Sequence, residues 1–221
     1  AMMHYHATPE DHAVLEKKGF LLVDSGATYM DGTTDITRTY PLGELTEDEK
    51  RFYTWTLQSH IDLARAVWLD YCECKMIDTI AREPLWRHLI NYRCGTGHSV
   101  SFVGNVHEGP HALNSRNTTR MRPGMVVTDE PGVYETDLVG IRIENELVCI
   151  HKADNQYGTF LGFEPLTFVP IATSPILPGV LDKDEIAWLN DYHRQVFAKL
   201  APHLNAEERV WLAEKCASIG C

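Results

Sequence analysis

The sequence predicts an α+β fold built on a mostly antiparallel sheet, and three observations carry that prediction. The short apolar run Gly19 to Val23 leads into Asp24 and is followed by the turn signal Asp31-Gly32, so residues 19–40 read as paired strands. In Ile141 to Cys149, apolar Ile141, Ile143, Leu147 and Cys149 alternate with Arg142, Glu144 and Glu146, the two-residue period of a half-buried strand with a polar face. Capping boxes introduce helical patterns between these strands and after them.

Taken in order, Thr46-Glu-Asp-Glu49 opens a helix expected to run to about Trp68, with Phe52, Leu63, Ala66 and Val67 among its apolar positions. A second helix, about 75–91, carries Ile77, Ile80, Leu85, Trp86 and Leu89, with Pro84 expected to kink it or delay its start. Residues 95–110 are rich in Gly, His, Ser and Val and read as strand and loop, and Met125 to Thr128 reads as a buried strand. Pro170, Pro175 and Pro178 mark a stiff connector. Beyond it, Asp182-Lys-Asp-Glu185 and Asn205-Ala-Glu-Glu208 cap two helices whose apolar positions include Ile186, Leu189, Val196, Phe197 and Leu200, then Val210, Trp211 and Leu212.

The composition fits a folded, soluble chain of one large domain, or one domain with an appendage: 221 residues, 44% hydrophobic and 23% charged. Twenty Lys and Arg against thirty-one Asp and Glu give a net charge of −11, which opposes a phosphate backbone and argues against nucleic acid as a partner. No segment approaches the roughly 20 apolar residues of a membrane span, so no membrane partner is expected. The six cysteines are too few and too irregular for a disulfide scaffold, and reduced thiols are expected, Cys72 and Cys74 included.

Two sets of residues invite a chemical reading. His107-Glu-Gly-Pro-His111 satisfies the H-E-x-x-H pattern of zinc proteases, but that pattern works only on a helix, and Gly109 and Pro110 sit inside the span. The helical zinc site is therefore rejected, while His107 stays a candidate on its own. The second set is Asp24, Asp35, His98, Glu130 and Glu144, each a polar group in or beside a predicted strand. Several carboxylates buried together need cations to neutralise them, and two divalent ions would balance the four charges, with one imidazole completing the shell. Water held by such a pair could ionise near neutral pH, which describes a two-metal hydrolase. Spacing alone does not bring these residues together, and a turn at Asp31-Gly32 leaves Asp24 and Asp35 out of direct pairing, so a bulge or offset is expected.

Four ordered strings, residues 23–39 (Val-Asp-Ser-Gly through Asp-Ile-Thr-Arg-Thr), 95–110 (Gly-Thr-Gly-His through His-Glu-Gly-Pro), 122–134 (Arg-Pro-Gly-Met-Val-Val-Thr-Asp-Glu-Pro-Gly-Val-Tyr) and 140–146 (Gly-Ile-Arg-Ile-Glu-Asn-Glu), resemble the catalytic domain of Xaa-Pro aminopeptidases, the aminopeptidase P family. That resemblance implies the pita-bread fold shared with prolidase, creatinase and methionine aminopeptidase: a curved, mostly antiparallel sheet flanked by helices, here lacking its first helices. It also implies a division into a metallopeptidase domain, 1–173, and a C-terminal helical extension, 174–221. Asp24, Asp35, His98, Glu130 and Glu144 match the ligands of two divalent metal ions, usually manganese, with zinc or cobalt as alternatives. Asp35 and Glu144 match bridging carboxylates, and Glu130 the glutamate that takes the proton of the attacking water. His107 matches a histidine that contacts substrate or the tetrahedral intermediate, His4 a histidine at the mouth of the site, and Arg142 an arginine that orients the network. Cys94 departs from the pattern, standing where many relatives have a histidine.

The implied activity is removal of an N-terminal residue from peptides whose second residue is proline, by a cytoplasmic homodimer. Two alternatives remain open from sequence: a prolidase acting on Xaa-Pro dipeptides, and a non-catalytic peptide-binding module.

Overall fold

The computed structural model describes residues 5–220; His4, expected at the mouth of the site, and Cys221 lie outside the described residues. The first element is the expected hairpin. Strand β1 (Phe20–Tyr29) pairs antiparallel with β2 (Gly32–Pro41) in unbroken register. Its loop is Met30-Asp31, closed by the Tyr29–Gly32 pair, one residue earlier than the Asp31-Gly32 signal. Asp24 faces Thr37 and Asp35 faces Gly26, so the two aspartates are diagonal neighbours on one face of the ribbon. Of the expected bulge or offset, the structure shows the offset: the two aspartates stand two rungs apart in the ladder, and side chains two positions apart share a face of a strand.

Helix α1 (Glu47–Ala64) begins at Thr46, whose hydroxyl accepts from the Glu49 N–H at 3.2 Å while the Glu49 carboxylate accepts from the Thr46 N–H at 2.7 Å. It stops four residues before the expected end at Trp68, which lies instead in the short strand β3 (Val67–Leu69). Sheet pairing wins there: Trp68 faces Leu161 across the ladder and its ring packs 4.5 Å from that of Phe163. Helix α2 (Cys74–Trp86) carries Pro84 in its last turn, and Leu89, at a left-handed φ of 60°, prevents the helix from reaching residue 91.

The remaining strands are β4 (Gly97–Ser99), β5 (Glu108–Leu113), β6 (Val126–Asp129), β7 (Gly132–Glu135), β8 (Val139–Arg142), β9 (Asn145–Asn155) and β10 (Gly158–Pro165). Five of them join β3 in one antiparallel sheet in the order β3-β10-β9-β6-β4-β5, and β7 and β8 pair separately. The single strand expected over 141–149 is thus two, broken at Ile143-Glu144. Its alternation is real, but Arg142, Glu144 and Glu146 are buried along with Ile141, Ile143, Leu147 and Cys149. The polar face turns inward rather than to solvent.

Helices α3 (Lys183–Leu200) and α4 (Ala206–Lys215) follow, with the expected capping boxes at Asp182 and Asn205. Two large apolar clusters and a small one around Leu85, Tyr92 and Val133 pack the described residues, and α1 serves both large ones. One face, with Leu63, joins α2 to the large sheet through Ile77, Ala81, Leu113, Val127, Leu147 and Leu161. The other, with Tyr53, Leu57 and Ile61, meets Ile141 and Ile143 and the α3 residues Leu189, Tyr192 and Val196. Val210 and Trp211, expected among the packed positions of α4, are exposed; Leu212 alone of the three is buried. Cys72, Cys74, Cys94, Cys149 and Cys216 are free thiols. No described helix is long and apolar enough to cross a membrane.

Candidate metal centre and active site

Three regions of the fold bring their polar residues to one cavity of about 340 Å³. The β1–β2 ribbon contributes Asp24 and Asp35, the β4 strand and the loop after it His98 and His107, and the β6 to β9 region Glu130, Arg142 and Glu144. Each of Asp35, His98 and Glu144 presents a donor atom within 4.8 Å of the others. Glu130 joins them, its Oε1 3.1 Å from His98 Nε2. Asp24 stands on the rim, where its carboxylate accepts from Arg142 Nη2 at 2.5 Å.

Close backbone packing sets the position of His98. A Cβ on Gly97 would lie 1.8 Å from the Thr128 carbonyl oxygen, so only glycine lets β4 approach β6 this closely. The Thr128 hydroxyl accepts from the His98 N–H at 3.0 Å and donates to Glu130 Oε1 at 2.9 Å. His98 Nδ1 donates to the Ser99 carbonyl at 3.1 Å, which turns Nε2 toward the carboxylates, as a donor to them in the metal-free chain and as the atom free to ligate a cation once deprotonated. The His107 ring lies over His98 with centroids 3.8 Å apart.

H-E-x-x-H fails here as the proline predicts: Glu108 to His111 lie on β5, and His111 bonds through Nε2 to the Val126 carbonyl instead of facing the cavity.

Behind this layer is a second one that sequence patterns did not single out. Thr37 donates to Glu144 Oε2 at 2.5 Å and accepts from Arg142 Nε at 2.9 Å. Tyr134 accepts from Arg142 Nη1. Arg38, buried, donates to the carbonyls of Glu144, Val169 and Pro170, to Asn145 Oδ1 and to the Tyr192 hydroxyl. The one available signal for Thr37 was its place two residues after Asp35, on the same face of a strand. Arg38 gave none, because a long-range contact leaves no local pattern.

The electrostatics explain what such a site needs. Burial, reinforced by the charges of Glu130 and Asp35, pushes Glu144 well above the usual carboxylate range. Burial disfavours a charged His98, but its hydrogen bonds to Asp35 and Glu130 outweigh this and raise it to about 10. Burial pushes the Tyr134 phenol up to about 12. Asp24, Asp35, Glu130 and Glu144 share one cavity with a single arginine, Arg142. Oxygen-rich donors, an imidazole with a fixed tautomer and uncompensated negative charge are the donor set that divalent cations fit.

Comparison with known proteins agrees with that chemistry. The family described as metallopeptidase family M24 matches residues 1–151, and the C-terminal region of peptidase M24 matches residues 159–219. The chain belongs to metallopeptidase family M24. Among its M24 relatives, "Probable Xaa-Pro aminopeptidase P" of Laccaria bicolor is 40% identical over 227 residues, covering 99% of this chain and 35% of that protein. "Aminopeptidase P2" of Arabidopsis thaliana is 43% identical over 219 residues, covering 96% and 31%. The chain thus spans about a third of the length of the curated relatives it matches.

Among solved structures, the X-prolyl aminopeptidase of Caenorhabditis elegans, described as a cytosolic enzyme with a di-nuclear active site, superposes with a TM-score of 0.85 at 40% identity, over 90% of this chain and 33% of that one. Prolidase from Pyrococcus furiosus gives a TM-score of 0.59 at 28% identity, over 69% and 42%. The architecture is the pita-bread fold of M24.

Proposed function

We propose that this chain is the catalytic portion of a metal-dependent Xaa-Pro aminopeptidase, cleaving the bond between an N-terminal residue and a following proline. The observation that carries the reading is the convergence of Asp35, His98 and Glu144 donors within 4.8 Å, in a cavity that also holds Asp24, Glu130 and His107. It is supported by M24 membership and by the aminopeptidase relatives. Asp24, Asp35, His98, Glu130 and Glu144 would hold two divalent cations, manganese being our choice. When bound, these ions supply Lewis acidity, lowering the pKa of a water and polarising the scissile carbonyl.

The protein's own groups do the rest. Glu130, facing the cavity with its Oε1 3.1 Å from His98 Nε2, takes the proton of the attacking water and returns it to the departing proline nitrogen. His107 donates to the oxyanion of the tetrahedral intermediate from its position over His98. Arg142 is a positioning residue, since its guanidinium spans Asp24, Thr37 and Tyr134 and holds the rim in register. The protein works in the cytoplasm as a homodimer on proline-containing peptides.

The reading is tested by offering the manganese-loaded chain Xaa-Pro-Pro tripeptides and Xaa-Pro dipeptides. Release of the first residue from the tripeptides is expected. A strong preference for dipeptides makes the chain a prolidase, and failure to take up any manganese makes it a binding module.

A further inference from the structure

The buried polar face that runs from Arg142 through the break at Glu144 into β9 carries one acidic residue more than the proposed metal site uses. Glu146 lies two positions after Glu144 and opposite Thr128 of β6, the residue whose hydroxyl joins His98 to Glu130. Its backbone is fixed on both sides: its N–H donates to Thr167 Oγ1 at 2.9 Å, and its carbonyl accepts from the Leu166 N–H at 2.8 Å. Its side chain is buried, at 7% exposure, and Oε1 has no hydrogen-bond partner among the described residues. The charged groups that act on its carboxyl are Asp35, of like sign, and His98, of opposite sign when protonated.

A carboxylate in this position is costly to an ordinary core. Burying an acceptor without a donor destabilises a fold, and a like charge nearby adds to the penalty. Thr128, the facing residue on β6, cannot offset a negative charge, and among the described residues no arginine or lysine pairs with Glu146 as Arg142 pairs with Asp24. Protonated His98 offsets part of this cost, and cations held on the far side of Asp35 and His98 would offset more of it.

We propose that Glu146 is an outer carboxylate of the metal centre, adding negative charge behind Asp35 and His98, so that cations are held more tightly at the expense of the metal-free fold. The inference rests on the metal-binding reading above and deepens it. Glu146 touches neither substrate nor the reacting atoms, so it is a positioning residue. Outer partners of metal ligands commonly change metal affinity about 10- to 100-fold when removed.

The test compares the full chain with Glu146→Gln, Glu146→Leu and Glu146→Asp, each stripped with chelator. Manganese chloride is titrated calorimetrically, and the melting temperature of each metal-free chain is measured. Gln and Leu are expected to weaken manganese binding about 10-fold or more while raising the metal-free melting temperature by a few degrees. Asp, which keeps the charge, should bind manganese within about threefold of wild type, where a fully lost outer partner costs at least 10-fold. A residue that merely fills space predicts the reverse pairing. Unchanged manganese affinity in Gln and Leu, or weaker binding together with a lower metal-free melting temperature, overturns the proposal. If the wild-type chain binds manganese and Gln binds it equally, only the role of Glu146 fails. If the wild type binds none, the metal-centre reading fails and takes this one with it.

Discussion

Asp24 and Glu144 are carboxylates on the same cavity held in opposite ways. The Asp24 side chain, on β1, is 46% exposed, and Arg142 is its one ion-pair partner among the described residues. Glu144 is 1% exposed, accepts the Thr37 hydroxyl and has its backbone carbonyl pinned by Arg38. A buried, bonded carboxylate is preorganised before any cation arrives, whereas a rim carboxylate must be drawn away from its arginine. The deeper residue therefore defines the site, and the outer one adjusts it.

The difference can be broken by substitution. Glu144→Gln is expected to weaken manganese affinity by about 100-fold or more, above the range for outer partners, and Asp24→Asn by only about 10-fold. Calorimetric titration of the two variants checks this, and equal losses would show that burial does not rank the ligands.

The buried side has its own support, and pH sharpens its share. His193, fully buried on α3, accepts the Ile171 N–H on Nε2 at 3.1 Å, and burial with the nearby Arg38 charge lowers it to about 4. A histidine held neutral in the fold contributes stability that is complete above its unfolded pKa, about 6.5, and drains away as pH falls toward 4. The loss is up to about 3 kcal/mol. Burial raises Asp129 to about 6, so its contribution runs the other way over this window. The measurement is therefore the difference between wild type and His193→Gln in urea unfolding from pH 7 to pH 4. A parallel pH dependence in both would remove His193 from the account.

A smaller effect is expected at Tyr192, whose hydroxyl accepts from Arg38 at 3.0 Å and donates to the Val169 carbonyl at 2.9 Å. Tyr192→Phe should cost about 1–2 kcal/mol of unfolding free energy and leave the metal affinity of Asp24 untouched. A drop that appears at the rim as well would mean that the two sides are not independent.

How much of this could be read beforehand follows the same division. Local signals were sound where the physics is local: the three capping boxes form, the ribbon pairs, and Pro110 rules out the helical zinc motif. Boundaries failed where a distant partner decides, as when β10 captured Trp68 from α1 or a left-handed Leu89 ended α2. At the site, the alternation from Ile141 to Cys149 marked Arg142, Glu144 and Glu146 as one face, yet its direction was hidden. A period of two says that residues share a side and never which side meets water. The assembly of Asp24 with Glu144 came from a family resemblance rather than from spacing. Arg38, Thr37 and Tyr134, which hold that assembly, are ordinary residues until the fold closes around them.

Arg38 extends this consequence to the whole architecture. One guanidinium is shared by the hairpin on which it sits, by Glu144 and Asn145 at the break before β9, and by the segment at Val169 and Pro170 that leads to α3. The last helices are therefore a wedge behind the floor of the cavity rather than a tail appended to it. Clipping the chain between the two would loosen the seat of Glu144 from more than 20 residues away, without disturbing any residue that faces the cavity.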